Sequence, residues 1–440
     1  MKFITTIKNI FSIEELRDRI VNTLFYLFIF RLGSFVLLPG LDFDKVESSI
    51  PTGNSGNPLD FLNTLVGGAF HNKAIFSLGI MPYITASIVI QLLTVAVPYF
   101  QKLQKDGESG RNQINKYTKY LTILVCLVQS RAFLFTTKDL LMDGYSHSFF
   151  IISSMVILTS GSMFCLWLGD KITEKGIGNG VSLLIMIGII SRFLPSVRDD
   201  FASSGVLLIF IKSLLFFFIV VATVAITQAI RKVPVSYAKQ MVNGRNMLGT
   251  GQRQYIPLKV IAAGVMPIIF AQSVMFLPSL LFGIGKDSNS VMSTLFYLYS
   301  DRFSVTYNVT FALLIILFTY FYTAITTNPN QIADDLKRNN GFVPGIKPGN
   351  STADFFDKVM SRLLLPGSLI IALIAVLPVF ANAFVLEGFA SFFGGTSLLI
   401  VVGVVLDTLQ QIESYLLMQR YEGMMKSGKV KGRQNYSVAG

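Results

Sequence analysis

The chain is built from long apolar runs separated by polar stretches. A bilayer offers no water to unpaired backbone groups, so apolar runs that cross it must be helices or close into a barrel, and a helix needs about 20 apolar residues. Run length favours helices. Ten spans are predicted, near 20–38, 74–97, 120–136, 149–168, 181–195, 205–228, 258–283, 305–327, 363–383 and 394–417. Gln129-Ser130-Arg131 interrupts the third and Arg192 closes the fifth early.

Composition agrees with a lipid environment: 52% of the residues are hydrophobic and 14% charged, where roughly a quarter are charged in a soluble domain. The first apolar run follows Arg17-Asp18-Arg19, contains Arg31 and lacks a small-residue cleavage site, so it reads as a retained span. The net charge of +12 is first of all a matter of topology. Lys and Arg segregate into alternate loops: the set that includes both termini carries 27, the other set carries 7, and Arg31, Arg131 and Lys212 fall within spans. By the positive-inside rule the rich set is cytoplasmic, and an even number of spans follows. Chemistry is sparse. Cys126 and Cys165 lie inside apolar runs, His71 and His147 are far apart, and no phosphate-binding loop of the G-x-x-x-x-G-K-[ST] type occurs. No cofactor or metal is expected, and any nucleotide energy must come from a partner.

A division near residue 198 gives domains 1–198 and 199–440 with five spans each. An odd number per half makes the second half enter the membrane in the opposite sense, as in inverted-repeat transport folds. The segment PLDFLNTLVGGAF (58–70) is too short to cross and reads as a re-entrant or interfacial half-helix. Pro58 and Asp60 suit its start and Gly67-Gly68 a left-handed C-cap. Two polar loops, 229–257 and 328–362, are long as well as basic.

Six segments, in order, resemble those of the SecY protein-conducting channel family: LGIMPYITASIVIQLLT (78–94), DGESGRNQINKYTKY (106–120), TEKGIGNGVSLL (173–184), IPLKVIAAGVMPIIFA (256–271), FVPGIKPG (342–349) and GGTSLLIVVGVVLD (394–407). The resemblance implies an all-α membrane protein of ten transmembrane helices in two inverted five-helix halves that open sideways between the second and seventh spans. It implies a plug at Leu59, Asp60, Phe61, Leu62, Asn63, Thr64, Leu65, Val66, Gly67 and Gly68. It also implies a pore ring of Ile80, Ile84, Val181, Ile185, Ile269 and Ile400. Ile80 with Ile84, and Val181 with Ile185, are i, i+4 pairs that each present one stripe, which taken alone is the ordinary pattern of helix packing. Thr85, Ser87, Gln91, Gln272 and Ser273 fall where the family's lateral gate would lie, and each is equally compatible with helix-to-helix hydrogen bonding.

Arg245, Arg253, Lys337, Arg338 and Lys347 would form the docking platform for ribosomes and for the SecA motor ATPase. Lys347 stands where the family usually carries arginine, keeping the charge but losing the bidentate fork. Further implied partners are SecE-like and SecG-like small membrane subunits, signal peptides and nascent chains, and membrane lipids. The expected location is the bacterial plasma membrane, multi-pass, with both termini cytoplasmic. A ten-span secondary transporter or lipid flippase is the competing reading. Ion coupling usually places an ionisable residue near the bilayer midplane, and the acids within spans, Asp407 and Glu413, lie in the cytoplasmic half of the last one. An enzyme is not expected, since no nucleophile–base pair or metal cluster is visible.

Overall fold

The computed structural model describes residues 13–49, 63–135, 137, 140–142, 146–203, 205–237, 254–261, 264–284, 304–383 and 395–426. Among them ten long helices stand at the ten predicted positions: Glu14–Gly33, Met81–Ala96, Gly107–Phe135, His147–Lys175, Gly180–Ser203, Val206–Thr227, Met266–Ile284, Val305–Thr326, Asn350–Ala383 and Gly395–Lys426. They are called spans 1 to 10 below. The fifth continues through residue 198 to Ser203.

Several boundaries differ from the expectation, for a common reason: apolar sequence marks burial at membrane depth, and protein as well as lipid can supply that burial. Span 1 ends at Gly33 rather than 38, after which Leu37 pairs with Ala74 in an isolated antiparallel bridge. Span 2 begins at Met81 rather than 74, because residues 75–80 form a run of turns. Span 7 begins at Met266 rather than 258, since 254–259 is a strand. Non-helical backbone at such depth is tolerated where protein buries it, and Ala74, Phe76, Leu78 and Ile261 are all buried. In the other direction, residues 350–362, expected as loop, are the first turns of span 9.

Spans 3, 4, 6, 8, 9 and 10 are each apolar and long enough to cross a bilayer by themselves. Span 6 has a mean hydropathy of 2.7 with 11% of its apolar window buried, which puts it at the periphery, against spans 5 and 10. Span 4 packs on spans 1, 3 and 5, and spans 7, 8, 9 and 10 follow one another side by side. Span 2 meets span 7, and span 5 meets span 10. One apolar core runs through these contacts, from Leu27 and Phe30 of span 1 through Ile84, Leu184, Ile268 and Phe311 to Ile371 and Leu399.

The expectation was entirely helical, and a small sheet outside the bundle is the departure from it. Strands β1 (Ile230–Tyr237), β2 (Gln254–Lys259) and β3 (Gly341–Phe342) are antiparallel in the order β2-β1-β3. Ile230 pairs with Lys259 and Val235 with Gln254. Val233 and Val235 alternate inward, where they meet Leu258, Leu336, Val343 and Phe356. This second core ties the two basic loops to the start of span 9. Its helix Pro329–Arg338 starts on Asn328, whose Oδ1 accepts from the backbone N–H of Asn330 and Gln331, as an N-cap does.

Candidate functional site: the central constriction

The six expected ring residues lie at the starts of four helices. Ile80 is the residue before span 2, with Ile84 N–H donating to its carbonyl at 3.1 Å. Val181 and Ile185 occupy the first two turns of span 5, Ile269 the first turn of span 7 and Ile400 the second turn of span 10. Even-numbered and odd-numbered spans run in opposite directions, so helices from both faces of the bundle begin around one place. Ile80, Ile84, Ile185, Ile269 and Ile400 are buried in one apolar cluster, and Val181 packs against it. The late starts of spans 2 and 7 thus have a use: they bring helix beginnings, rather than helix middles, to the centre.

Of the expected plug, Asn63 to Gly68 are described; Leu59, Asp60, Phe61 and Leu62 lie outside the described residues. Asn63–Leu65 are helical. The helix then closes with Gly68 N–H donating to Asn63 O at 2.7 Å and Gly67 N–H to Thr64 O at 3.2 Å. This is the Schellman pair of bonds, and it requires the left-handed backbone found at Gly67, φ +67°. Leu65 and Val66 face a narrow void of about 10 Å³ whose other walls include Ile80, Ile84 and Ile185. The expected plug segment and three of the expected ring residues thus share an apolar cleft.

The plug's closing turn rests on two spans. Arg31, in the last turn of span 1, donates from Nη1 to Gly67 O at 2.6 Å and stacks 4.6 Å above the Phe35 ring. From span 5, Gly188 leaves room for the plug backbone: a Cβ there would lie 2.0 Å from Leu65 O. Neither residue was expected at this site, although an arginine within an apolar run is the kind of signal that marks function in membranes. After the plug, Lys73 is buried with its Nζ 5.2 Å from the Phe70 ring centre and 4.9 Å from that of Phe133. Burial lowers its pKa to about 8.

The expected gate residues stand on spans 2 and 7, which pack against each other. Thr85 Oγ1 donates to Met81 O at 3.1 Å and Gln91 Nε2 to Ser87 Oγ at 3.3 Å, both within span 2. Ser273 Oγ donates to Ile269 O at 2.8 Å within span 7, and Gln272 Nε2 to Tyr307 Oη of span 8 at 3.3 Å. Among the described residues these four hydrogen bonds stay within span 2, within span 7 or run from span 7 to span 8. The docking set is divided. Lys337, Arg338 and Lys347 are exposed on the small β-containing lobe, whereas Arg245 and Arg253 lie outside the described residues. Lys347 is held by its backbone, its carbonyl accepting from Thr352 Oγ1 at 2.9 Å.

A bundle of long apolar helices, several of whose starts gather aliphatic side chains into one buried cluster, defines the class of polytopic helical membrane protein. The SecY family model matches residues 74–409. "Protein translocase subunit SecY" of Halalkalibacterium halodurans is 40% identical over 438 residues, covering 96% of this chain and 99% of its own. Among solved structures, one described as a protein-conducting channel aligns with a TM-score of 0.62 at 15% identity, over 90% of this chain and 92% of its own. Another, a SecY whose plug domain is described as stabilising the closed state and maintaining a membrane seal, aligns with a TM-score of 0.59 at 16% identity over the same shares. The chain belongs to the SecY family.

Proposed function

We propose that this chain is the central subunit of a protein-conducting channel, passing unfolded secretory proteins across the membrane and releasing transmembrane segments sideways between spans 2 and 7. The observation that supports the reading is that five of the six aliphatic side chains are buried in one cluster at four helix starts, with Val181 packed against it and Leu65 of the proposed plug within it. A channel for unfolded chains must pass side chains of every size while holding back ions. Aliphatic constrictions meet both demands, closing by dewetting and yielding around a passing chain. The transporter reading is the less favoured one, since the similar curated proteins are named translocase subunits. Asp407 and Glu413 are exposed, and Asp407 Oδ1 lies 4.0 Å from Lys259 Nζ at the surface. The test is reconstitution of the purified channel with small SecE-like and SecG-like subunits, with and without SecA, using a signal-bearing substrate. Transport that needs both the motor and the signal supports the reading, and a channel that moves ions or lipids but no polypeptide overturns it.

The proposed setting is the bacterial plasma membrane with both termini cytoplasmic, supported by the charge split between loops. Single cysteines replacing Met142 or Ser288 should react with a membrane-impermeant thiol reagent added outside, and ones replacing Asn246 or Asn340 should not. Reversed labelling would invert the topology and remove the docking loops from the motor's side.

In that orientation the lobe with Lys337, Arg338 and Lys347 faces ribosomes and SecA. If Lys347 meets an acidic surface of the motor, Lys347→Glu turns attraction into repulsion and should cut SecA-driven transport several-fold. Lys347→Arg, which restores the planar fork, should leave transport unchanged or raise it. Equal rates for all three forms would take Lys347 out of the docking surface.

A further inference from the structure

We infer that Arg31 is a positioning residue that latches the plug shut, through a charge-assisted hydrogen bond to a backbone carbonyl. The inference rests on the plug reading above and goes beyond it by naming what holds the segment down. A positive charge near the end of an apolar span is costly and needs a compensating partner. Among the described residues no carboxylate stands within salt-bridge reach of Arg31, which donates to the Gly67 carbonyl at 2.6 Å and stacks on the Phe35 ring.

The partner is well chosen. The Schellman turn consumes the carbonyls of Asn63 and Thr64 internally, and Gly67 O is left to accept from outside the turn. Contact is close on every side. A Cβ on Gly67 would stand 2.9 Å from Arg31 Nη1, 2.8 Å from Ser191 Oγ and 3.1 Å from Gly188 Cα, and one on Gly68 would stand 3.3 Å from the Arg192 guanidinium. The backbone of the turn thus stands in close contact with span 1 and span 5, and a latch of this sort depends on the two glycines.

The latch is also reversible. Arg31 is only half-buried, so water entering the emptied seat can solvate the guanidinium when the plug leaves. A charged hydrogen bond in a fully closed site would instead strand its donor on opening.

The test uses the full chain with its small subunits in planar bilayers, with Arg31→Met and Arg31→Lys compared in an otherwise unaltered channel and in one lacking residues 59–68. A second readout is labelling of a cysteine at Leu65, which the seated plug keeps buried, in a background where Cys126 and Cys165 are replaced by alanine. Arg31→Met should raise both resting ion leak and Cys labelling by about tenfold, the equilibrium equivalent of one charge-assisted hydrogen bond. Lysine, with a donor but a shorter reach, should fall between. In the plug-deleted channel Arg31→Met should change the leak no further. Unchanged leak and labelling in Arg31→Met, with a plug deletion that does leak, would overturn the latch and leave the plug. A plug deletion that does not leak would overturn the plug reading itself. Should Arg31→Met fail to accumulate, Arg31→Lys decides by the same readouts: parental values overturn the latch.

Discussion

Replacing Ile80 and Ile269 together by asparagine should convert a closed channel into one that conducts ions at rest. The two side chains come from spans 2 and 7, on the two sides of the proposed seam, and both are buried in the same apolar cluster. Each excludes water with the about 1.5–3 kcal/mol that burial of an aliphatic side chain contributes. Removing both should therefore raise the hydrated fraction of the gap by about a hundredfold or more. The matched control is Ile80→Leu with Ile269→Met, close in volume and still apolar, which should keep the seal. A packing role gives a different pattern. Asparagine would then lower the yield and thermal stability of the protein, while the molecules that survive would stay tight. Conductance of purified double mutants in planar bilayers separates these outcomes, and polar mutants that are well folded and as tight as the parent would remove these residues from the ring.

How much of this was legible in the sequence depends on what enforces each feature. Ten helices were legible because lipid enforces run length, and all ten appear where the apolar runs fall. Helix starts were not, since the residues 75–80 before span 2 are as apolar as the helix itself and only tertiary burial distinguishes them. The Gly67-Gly68 cap was legible because the left-handed conformation at both positions strongly favours glycine. The ring was legible through the family resemblance alone. An i, i+4 aliphatic pair carries no information about whether it faces a neighbour or a pore. The β1–β2 pairing was missed although Val233 and Val235 alternate with polar or turn residues, because Pro234 between them argues against a strand.

Gly188 gives the sharpest test of the plug's seat, because it acts from span 5 without altering either the plug or the ring. Adding one methyl group there sets a Cβ 2.0 Å from Leu65 O and 3.2 Å from Gly67 N, both backbone atoms. Backbone cannot rotate away as a side-chain tip does, so either span 5 or the plug must move. Span 5 is held by packing against spans 4 and 10, with Leu184, Ile185 and Ile189 buried around the glycine. Segment 63–68 is held by its capped turn, the Arg31 hydrogen bond and the packing of Leu65, a smaller set of contacts, and is the part that yields. Overpacking of this kind costs about 1–3 kcal/mol, which shifts a two-state equilibrium by about 5-fold to 150-fold. Gly188→Ala should therefore raise resting leak within that range and increase acceptance of clients with poor signal sequences. Glycine-to-alanine exchange in a helix otherwise favours the helix by up to about 1 kcal/mol, so span 5 itself should not unfold. The decisive comparison is in the channel lacking residues 59–68, where the clash has no partner. There Gly188→Ala should have no effect on leak. An equal increase with and without the plug would mean that the methyl group disturbs span 5 or the ring directly, and the seat at Gly188 would be wrong.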